Sequence, residues 1–316
     1  MRGLRRNRHC EDREHSVAGR SNPWLRAARP RTVLLSLSGV MMGGFLAFAS
    51  GQEPNIWALS FCALTALLLQ ILSNLANDYG DFKKGLDNAD RTGPQRVMQS
   101  GELTERQMRT GIALTALLTL VSGALLIFVF ARLTWRELAV FAALGIAAVA
   151  AALLYTLGKR PYGYRGLGDL FCFLFFGWAA VLGTFYLVTK TLDFSVLLPA
   201  TALGFLSNAV LNINNMRDYA HDKAQGKNTL VVKLGLKRAF IYHVILIVGA
   251  FVCLTVFLVL KQTPWFTYAF WLLFPLFLMD LITIWKLFES GHLDQMLPRQ
   301  VVKTFLLTLV FGLLII

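Results

Sequence analysis

Charge is scarce in this chain. Only 16% of its 316 residues are Asp, Glu, Lys or Arg, whereas 56% are hydrophobic, and the mean hydropathy is +0.55. Soluble domains carry about a quarter charged and about 45–50% apolar residues, so an ordinary soluble domain and a disordered chain are both excluded. Cysteine is sparse too. Cys10, Cys62, Cys172 and Cys253 show no paired spacing, and three of them fall in apolar runs. Neither a disulfide scaffold nor a cysteine-bound metal fits that distribution. His221, beside Asp222, has no second His or Cys at ligand spacing, which argues against zinc. The stretch ending in Gly226-Lys227-Asn228 lacks the first glycine of a P-loop, with His221 in its place, and no strand precedes it. No Ser-His-Asp constellation is evident.

What the chain has instead is apolar runs of about 17–25 residues, each long enough to cross ~30 Å of hydrocarbon. Nine spans are expected, at 32–50, 56–76, 107–131, 137–156, 168–188, 194–216, 239–260, 265–287 and 299–316. The fold class is therefore all-α, a polytopic membrane bundle of about nine transmembrane helices. The excess of 31 Lys+Arg over 18 Asp+Glu would suggest nucleic acid in a soluble protein. Here 27 of those 31 basic residues fall on one side of the spans, leaving Arg132, Arg136, Lys190 and Lys261 on the other. By the positive-inside rule the amino terminus and the two long loops lie in the cytoplasm, and no nucleic-acid partner is implied. Residues 1–22 read as a disordered basic tail and 23–316 as a single transmembrane domain. The basic leader and Ala47-Phe48-Ala49 mimic a signal peptide, but an apolar run near twenty residues followed by eight more spans indicates an uncleaved first helix.

Two of the spans end in polar stripes. At 100° per residue Gln70, Asn74, Asn77, Asp78 and Asp81 fall within roughly 100° of the second helix, and Asn208, Asn212, Asn215, Asp218 and Asp222 within roughly 120° of the sixth. Asn74-x-x-x-Asp78-x-x-Asp81 matches Asn214-x-x-x-Asp218-x-x-x-Asp222, and spans four apart point the same way, which suggests a parallel duplication. Carboxylate pairs a turn apart on two helices can face each other across one cavity, and hard oxygen ligands at that spacing suit Mg²⁺. Lys83, Lys84, Arg91 and Arg96 follow the first pair; Arg217, Lys223 and Lys227 accompany the second. Interleaved acids and cations suit a magnesium–diphosphate complex. The bland alternative is that the acids only neutralise basic loops, which leaves the Asn stripes unexplained. A third cytoplasmic segment carries Tyr155 and Lys159 one helical turn apart, placed either to address one ligand or to anchor the helix end at the interface. Asp280, in the eighth span, is a lone intramembrane acid without an assignable partner.

Together these segments resemble the UbiA superfamily of intramembrane prenyltransferases, in particular the branch that prenylates 1,4-dihydroxy-2-naphthoate. The first acidic motif is matched by Asn77-Asp78-Tyr79-Gly80-Asp81, continuing to Arg91-Thr92-Gly93-Pro94-Gln95-Arg96. The second is matched by Asn214-Asn215-Met216-Arg217-Asp218 with Asp222, and the Tyr-x-x-x-Lys element by Tyr155 and Lys159; Arg29-Pro30-Arg31-Thr32 resembles the start of the family's first helix. Where the general pattern has a third acid this chain has Gly85, with Asp87 two residues on.

The resemblance implies helices around a central cavity and an aromatic prenyltransferase of a bacterial plasma membrane, its partners being a polyprenyl diphosphate, an aromatic acceptor and the bilayer. Asp78, Asp81, Asp218 and Asp222 would hold Mg²⁺, two ions bridging the diphosphate. Asn74, Asn77 and Asn215 would orient ligands or waters. Lys159, Arg217 and Lys227, with Lys84, Arg91, Arg96 and Arg160, would offset charge on the leaving diphosphate, and Asp87 or a neighbour would activate the phenol. Acceptors of the 4-hydroxybenzoate or homogentisate type are the alternative within the family; an ion-coupled transporter is the alternative outside it.

Overall fold

The computed structural model describes residues 22–86, 95–290 and 292–316. The expected tail over 1–22 lies, but for Asn22, outside the described residues, as do Asp87 and Arg91. Among the described residues nine helices are long and apolar enough to cross a membrane, and the protein is a multi-pass membrane protein. They are α2 (Pro30–Ala49), α3 (Ile56–Lys83), α4 (Glu105–Phe130), α5 (Trp135–Leu154), α6 (Gly168–Thr189), α7 (Phe194–Arg217), α10 (Leu236–Leu260), α11 (Trp265–Leu287) and α12 (Met296–Ile315). Short helices α1 (Pro23–Ala28), α8 (Tyr219–Ala224) and α9 (Leu230–Leu234) flank them.

Local chemistry sets the helix ends. Thr104 with Gln107, and Thr134 with Glu137, form reciprocal capping boxes that start α4 and α5. Arg29 sits in the left-handed region (φ 50°) between α1 and α2, so the two helices meet at a joint, and Pro30 then opens α2. The second span runs seven residues beyond its apolar stretch, to Lys83, because the acids of its last two turns find buried cationic partners. The sixth helix does not continue through its stripe. It ends at Arg217, and Asp218 (φ −88°, ψ 7°) is the joint to α8, so Asp218 and Asp222 lie across a break rather than on one straight face.

Leu117, Val140, Val259 and Leu272 are exposed on the outside of the bundle, the apolar surface that lipid covers. Inside, Met42, Phe251, Phe270, Phe277 and Phe311 tie α2, α10, α11 and α12 to α6 and α7. Small residues let backbones approach: a Cβ on Gly177 would lie 2.7 Å from both the Ala200 carbonyl oxygen and the Gly204 Cα. Because those neighbours are backbone, Gly177→Val is expected to destabilise the α6–α7 contact by about 3 kcal/mol. Gly145→Ala, whose Cβ would meet nothing within 4 Å, is the neutral control in a thermal-unfolding comparison. Asp280 gains a partner that its own span did not reveal: Lys303 of α12 forms an ion pair with it and also donates to the Leu276 carbonyl at 2.5 Å.

Opposite that core, α2 to α7 enclose a cavity of about 850 Å³. Its lining runs from Arg29, Asp78, Arg96 and Arg217 at one end to Cys62, Phe128, Thr184 and Leu187 at the other. Asp78 and Cys62 are sixteen residues apart on α3, about 24 Å of helix.

Candidate active site

The acidic ends of α3 and α7 both reach the polar end of this cavity, and arginines hold the acids of each. Asp78 and Asp81 are each 2% exposed. Arg96 bridges them, with Nε 3.4 Å from Asp78 Oδ1 and Nη1 2.7 Å from Asp81 Oδ2. Arg29, aimed by the α1–α2 joint, forms a second ion pair with Asp78. On α7, Arg217 grips its neighbour Asp218 through two bonds of 2.8 Å and also reaches Asn214 at 2.9 Å and Asp294 at 3.4 Å. Lys227 closes back on Asp222 at 3.5 Å, and its own N–H donates to the Asp222 carbonyl at 2.9 Å.

Tyr164, between α5 and α6, joins the two halves. Its hydroxyl donates to Asp81, its ring lies 4.2 Å from Lys84 Nζ and 5.4 Å from Lys227 Nζ, and its carbonyl accepts from the Asn228 N–H at 3.0 Å. A further bridge runs from His221 Nε2 to the Leu86 carbonyl, 2.7 Å. Burial pushes the Asp222 carboxyl up to about 6; Lys227 opposes the rise, and the Asp218 and Asp81 carboxylates add to it. Of these, Asp81 lies on α3 and acts on Asp222 across the gap to α8, whereas Asp218 acts from the joint just before it. Asp222 Oδ2 and Asn77 Oδ1 are buried without a hydrogen-bond partner.

The polar stripes divide their labour. On α3, Asn74 donates to the Ala28 carbonyl at 2.8 Å and to Thr32 Oγ1 at 3.1 Å, and Gln70 reaches the same Thr32 at 3.2 Å. These amides hold the joint that aims Arg29, and with Asn77 and Asp78 they also line the cavity. On α7, Asn212 donates to the Ala239 carbonyl at 3.0 Å and Asn208 to the Tyr242 hydroxyl at 3.3 Å, so the upper part of that stripe packs against α10. Asn215 is buried, and Asn214, not Asn215, lines the cavity.

The expected Tyr155–Lys159 pairing on one helical turn is corrected by the structure. Helix α5 ends at Leu154, Gly158 turns the chain (φ +90°), and Lys159 and Arg160 emerge exposed. Tyr155 remains on the cavity wall, edge-on to Tyr162 at 5.4 Å between ring centroids. Burial holds its phenol well above the ordinary tyrosine range, so it is neutral at physiological pH. Residues the sequence reasoning did not single out for the site are Arg29, Tyr164, Asn214 and Asp294. Two of them had a signal: Asn214 in its match to Asn74, and Arg29 in the Arg29-Pro30-Arg31-Thr32 element.

Carboxylates interleaved with guanidinium and ammonium groups, above a long apolar cavity, can hold a charged phosphate head while its hydrocarbon tail lies in the membrane. Comparison with known proteins agrees. The profile of the UbiA prenyltransferase family matches residues 36–309. The chain is 42% identical over 294 residues to a 1,4-dihydroxy-2-naphthoate octaprenyltransferase of Escherichia coli, covering 93% of this chain and 95% of that protein. It is 40% identical over 291 residues to the protein of the same name from Haemophilus influenzae, covering 92% and 94%. A UbiA homologue from Archaeoglobus fulgidus, solved with GPP and Mg²⁺, shares the fold at TM-score 0.66 and 15% identity, over 93% of this chain and 99% of that one. A match spanning α2 to α12, together with identity sustained across nearly the whole chain, makes this protein a member of the UbiA prenyltransferase family.

Proposed function

We infer that the protein transfers a polyprenyl group from a polyprenyl diphosphate to 1,4-dihydroxy-2-naphthoate, releasing diphosphate and CO₂ and giving demethylmenaquinone in its reduced, hydroquinone form. The observation that carries this reading is the meeting of two acidic helix ends and their cations at the mouth of the apolar cavity. The two naphthoate prenyltransferases it resembles at 40% identity or more supply the acceptor.

The donor set fits a hard cation: four carboxylates, with an unpartnered Asp222 oxygen and an unpartnered Asn77 oxygen beside them. Among the described residues no three such groups converge on one point, because arginines hold Asp78, Asp81 and Asp218 as they stand. Asp78, Asp81, Asp218 and Asp222 would hold two Mg²⁺ ions with the diphosphate, and the arginines would turn from carboxylate to phosphate oxygens as it binds. Magnesium would supply positive charge to the departing diphosphate.

Arg29, Arg96, Arg217 and Lys227 offset the charge that builds as the allylic C–O bond breaks. The naphthoate carbon bearing the carboxylate attacks the allylic carbon, and loss of CO₂ returns the electron pair to the ring, so no carbon-bound proton needs a base. Tyr155, neutral on the cavity wall, would orient the acceptor. Lys159, Arg160 and Lys84 would meet the charged substrates at the exposed mouth, and Arg91, outside the described residues, would also bind the diphosphate. Asp87, or a neighbour, would take up the phenol proton as the ring attacks and return it once CO₂ has left. Asn74, Asn77 and Asn215 would support the first-motif and second-motif ligands. The basic loops support a cytoplasmic mouth, and the membrane would be the inner membrane of a bacterium.

Protein in nanodiscs, given one polyprenyl diphosphate and a panel of acceptors, is expected to prenylate dihydroxynaphthoate with loss of CO₂, and only with divalent metal. Product from 4-hydroxybenzoate or homogentisate instead, or turnover in excess chelator, would contradict the reading. Cys62→Trp, at the far end of the cavity, is expected to cut turnover of long polyprenyl diphosphates about tenfold while geranyl diphosphate stays within about twofold.

The pH dependence follows from Asp222. Its raised value means that the ionised form is the one the folded state disfavours without metal, and that a proton competes with metal as pH falls through about 6. Mn²⁺ affinity is expected to be flat from pH 8 to 7 and to weaken by up to about tenfold per unit well below 6, as a titration at each pH would show.

A further inference from the structure

Tyr164 touches the first acidic motif at Asp81, the ammonium groups of Lys84 and Lys227, and the backbone just after the second motif at Asn228. Its hydroxyl donates to Asp81, whose other oxygen takes Arg96 Nη1 at 2.7 Å. The carboxylate is thus fixed at both oxygens while keeping lone pairs free, since each oxygen accepts about two bonds. The ring carries Lys84 Nζ at 4.2 Å and Lys227 Nζ at 5.4 Å, both within the reach of an ammonium over an aromatic face. Two ammonium groups gathered on one ring repel each other, and the ring offsets that repulsion when nothing anionic is bound. The strand of chain is itself pinned, because the Tyr164 carbonyl takes the Asn228 N–H at 3.0 Å, one residue beyond Lys227. Tyr164 therefore tracks the Lys227–Asn228 segment through its backbone and the first motif through its hydroxyl.

We propose that Tyr164 is a positioning residue with two separable jobs: its hydroxyl orients Asp81 for the metal, and its ring sets Lys84 and Lys227 for the diphosphate. The inference rests on the magnesium–diphosphate reading of the site. The two jobs separate chemically. Tyr164→Phe keeps the ring and removes the hydroxyl; Tyr164→Leu removes both.

Hydrogen-bond partners behind a ligating carboxylate typically set metal affinity by 10–100-fold. Y164F is expected to bind Mn²⁺ about tenfold more weakly than the wild type, by calorimetry on detergent-solubilised protein. Its affinity for geranyl S-thiolodiphosphate, a prenyl diphosphate analogue that does not ionise readily, should stay within about threefold at saturating Mn²⁺. Y164L is expected to lose about tenfold in analogue affinity as well, the ring having served both lysines. In turnover the same split should show as a raised metal requirement in Y164F and a raised KM for prenyl diphosphate in Y164L. Wild-type affinities in both variants would overturn the role, as would an equal loss of both affinities in Y164F and Y164L, or losses that follow a fall in thermal stability. Those outcomes would leave Tyr164 a packing residue. A wild-type protein that binds neither Mn²⁺ nor the analogue would instead sink the magnesium–diphosphate reading itself.

Discussion

Asp78→Asn and Asp218→Asn are each expected to lower turnover by about 10²-fold or more while leaving the protein folded. Each carboxylate is buried against arginine, Asp78 beside Arg29 and Arg96 and Asp218 in the two-bond grip of Arg217. Asparagine keeps the shape and one acceptor oxygen but removes the charge that a divalent cation requires, and outer and inner ligands of such sites commonly govern activity by that factor. Folding is spared because the arginines retain other anchors: Arg96 keeps Asp81, and Arg217 keeps Asn214 and Asp294. The rates would be measured by product mass at saturating prenyl diphosphate, with thermal unfolding as the control. Because the two acids serve one site, the double variant should lose scarcely more than either single one. Near-normal turnover in either variant would remove its acid from the site.

Arg96→Met is expected to act in the opposite order, on stability before chemistry. Its guanidinium lies between Asp78 and Asp81 and is 9% exposed, so its loss leaves two buried carboxylates a turn apart without the charge that separates them. Removing one partner of such a group costs about 3–5 kcal/mol. A divalent ion can take the vacated place between the carboxylates, so millimolar Mg²⁺ should recover more stability in Arg96→Met than it adds to the wild type. Thermal unfolding with and without Mg²⁺ checks this. A variant as stable as the wild type, or one indifferent to Mg²⁺, would mean that Arg96 does not bridge the pair.

The spans were legible because crossing lipid demands an uninterrupted apolar run, and the expected segments overlap all nine observed helices. Boundaries failed where polar residues are buried by partners distant in sequence. The second span outlasts its apolar run because Arg29 and Arg96 meet its acids, and neither residue is adjacent to them in the chain. That the polar ends of the second and sixth spans reach one cavity, with Asp78, Asn214 and Arg217 on its wall, was legible in two stripes on helices pointing the same way. The direction of each amide was not. Asn208 and Asn212 sit on the same arc as Asn215, yet α10 supplies the carbonyl and hydroxyl that claim them, and only the packing of α7 against α10 decides that. Lys159 misled for a local reason: the Tyr-x-x-x-Lys spacing presumes a helix, and Gly158 ends it. Tyr164 carried no signal of its own, because a tyrosine in a basic loop at a helix end is what interfacial anchoring also produces.

The central claim is that α3 and α7 contribute to a single metal–diphosphate site. Its most direct test is a Mn²⁺ titration of the purified protein with geranyl S-thiolodiphosphate present, followed by electron paramagnetic resonance, in wild type, D78N and D218N. Tight Mn²⁺ binding that depends on the analogue in the wild type, and that is lost when either helix is altered, is the expected result. Binding that survives intact in one of the two variants would show that the helices do not share the ion, and would contradict the claim.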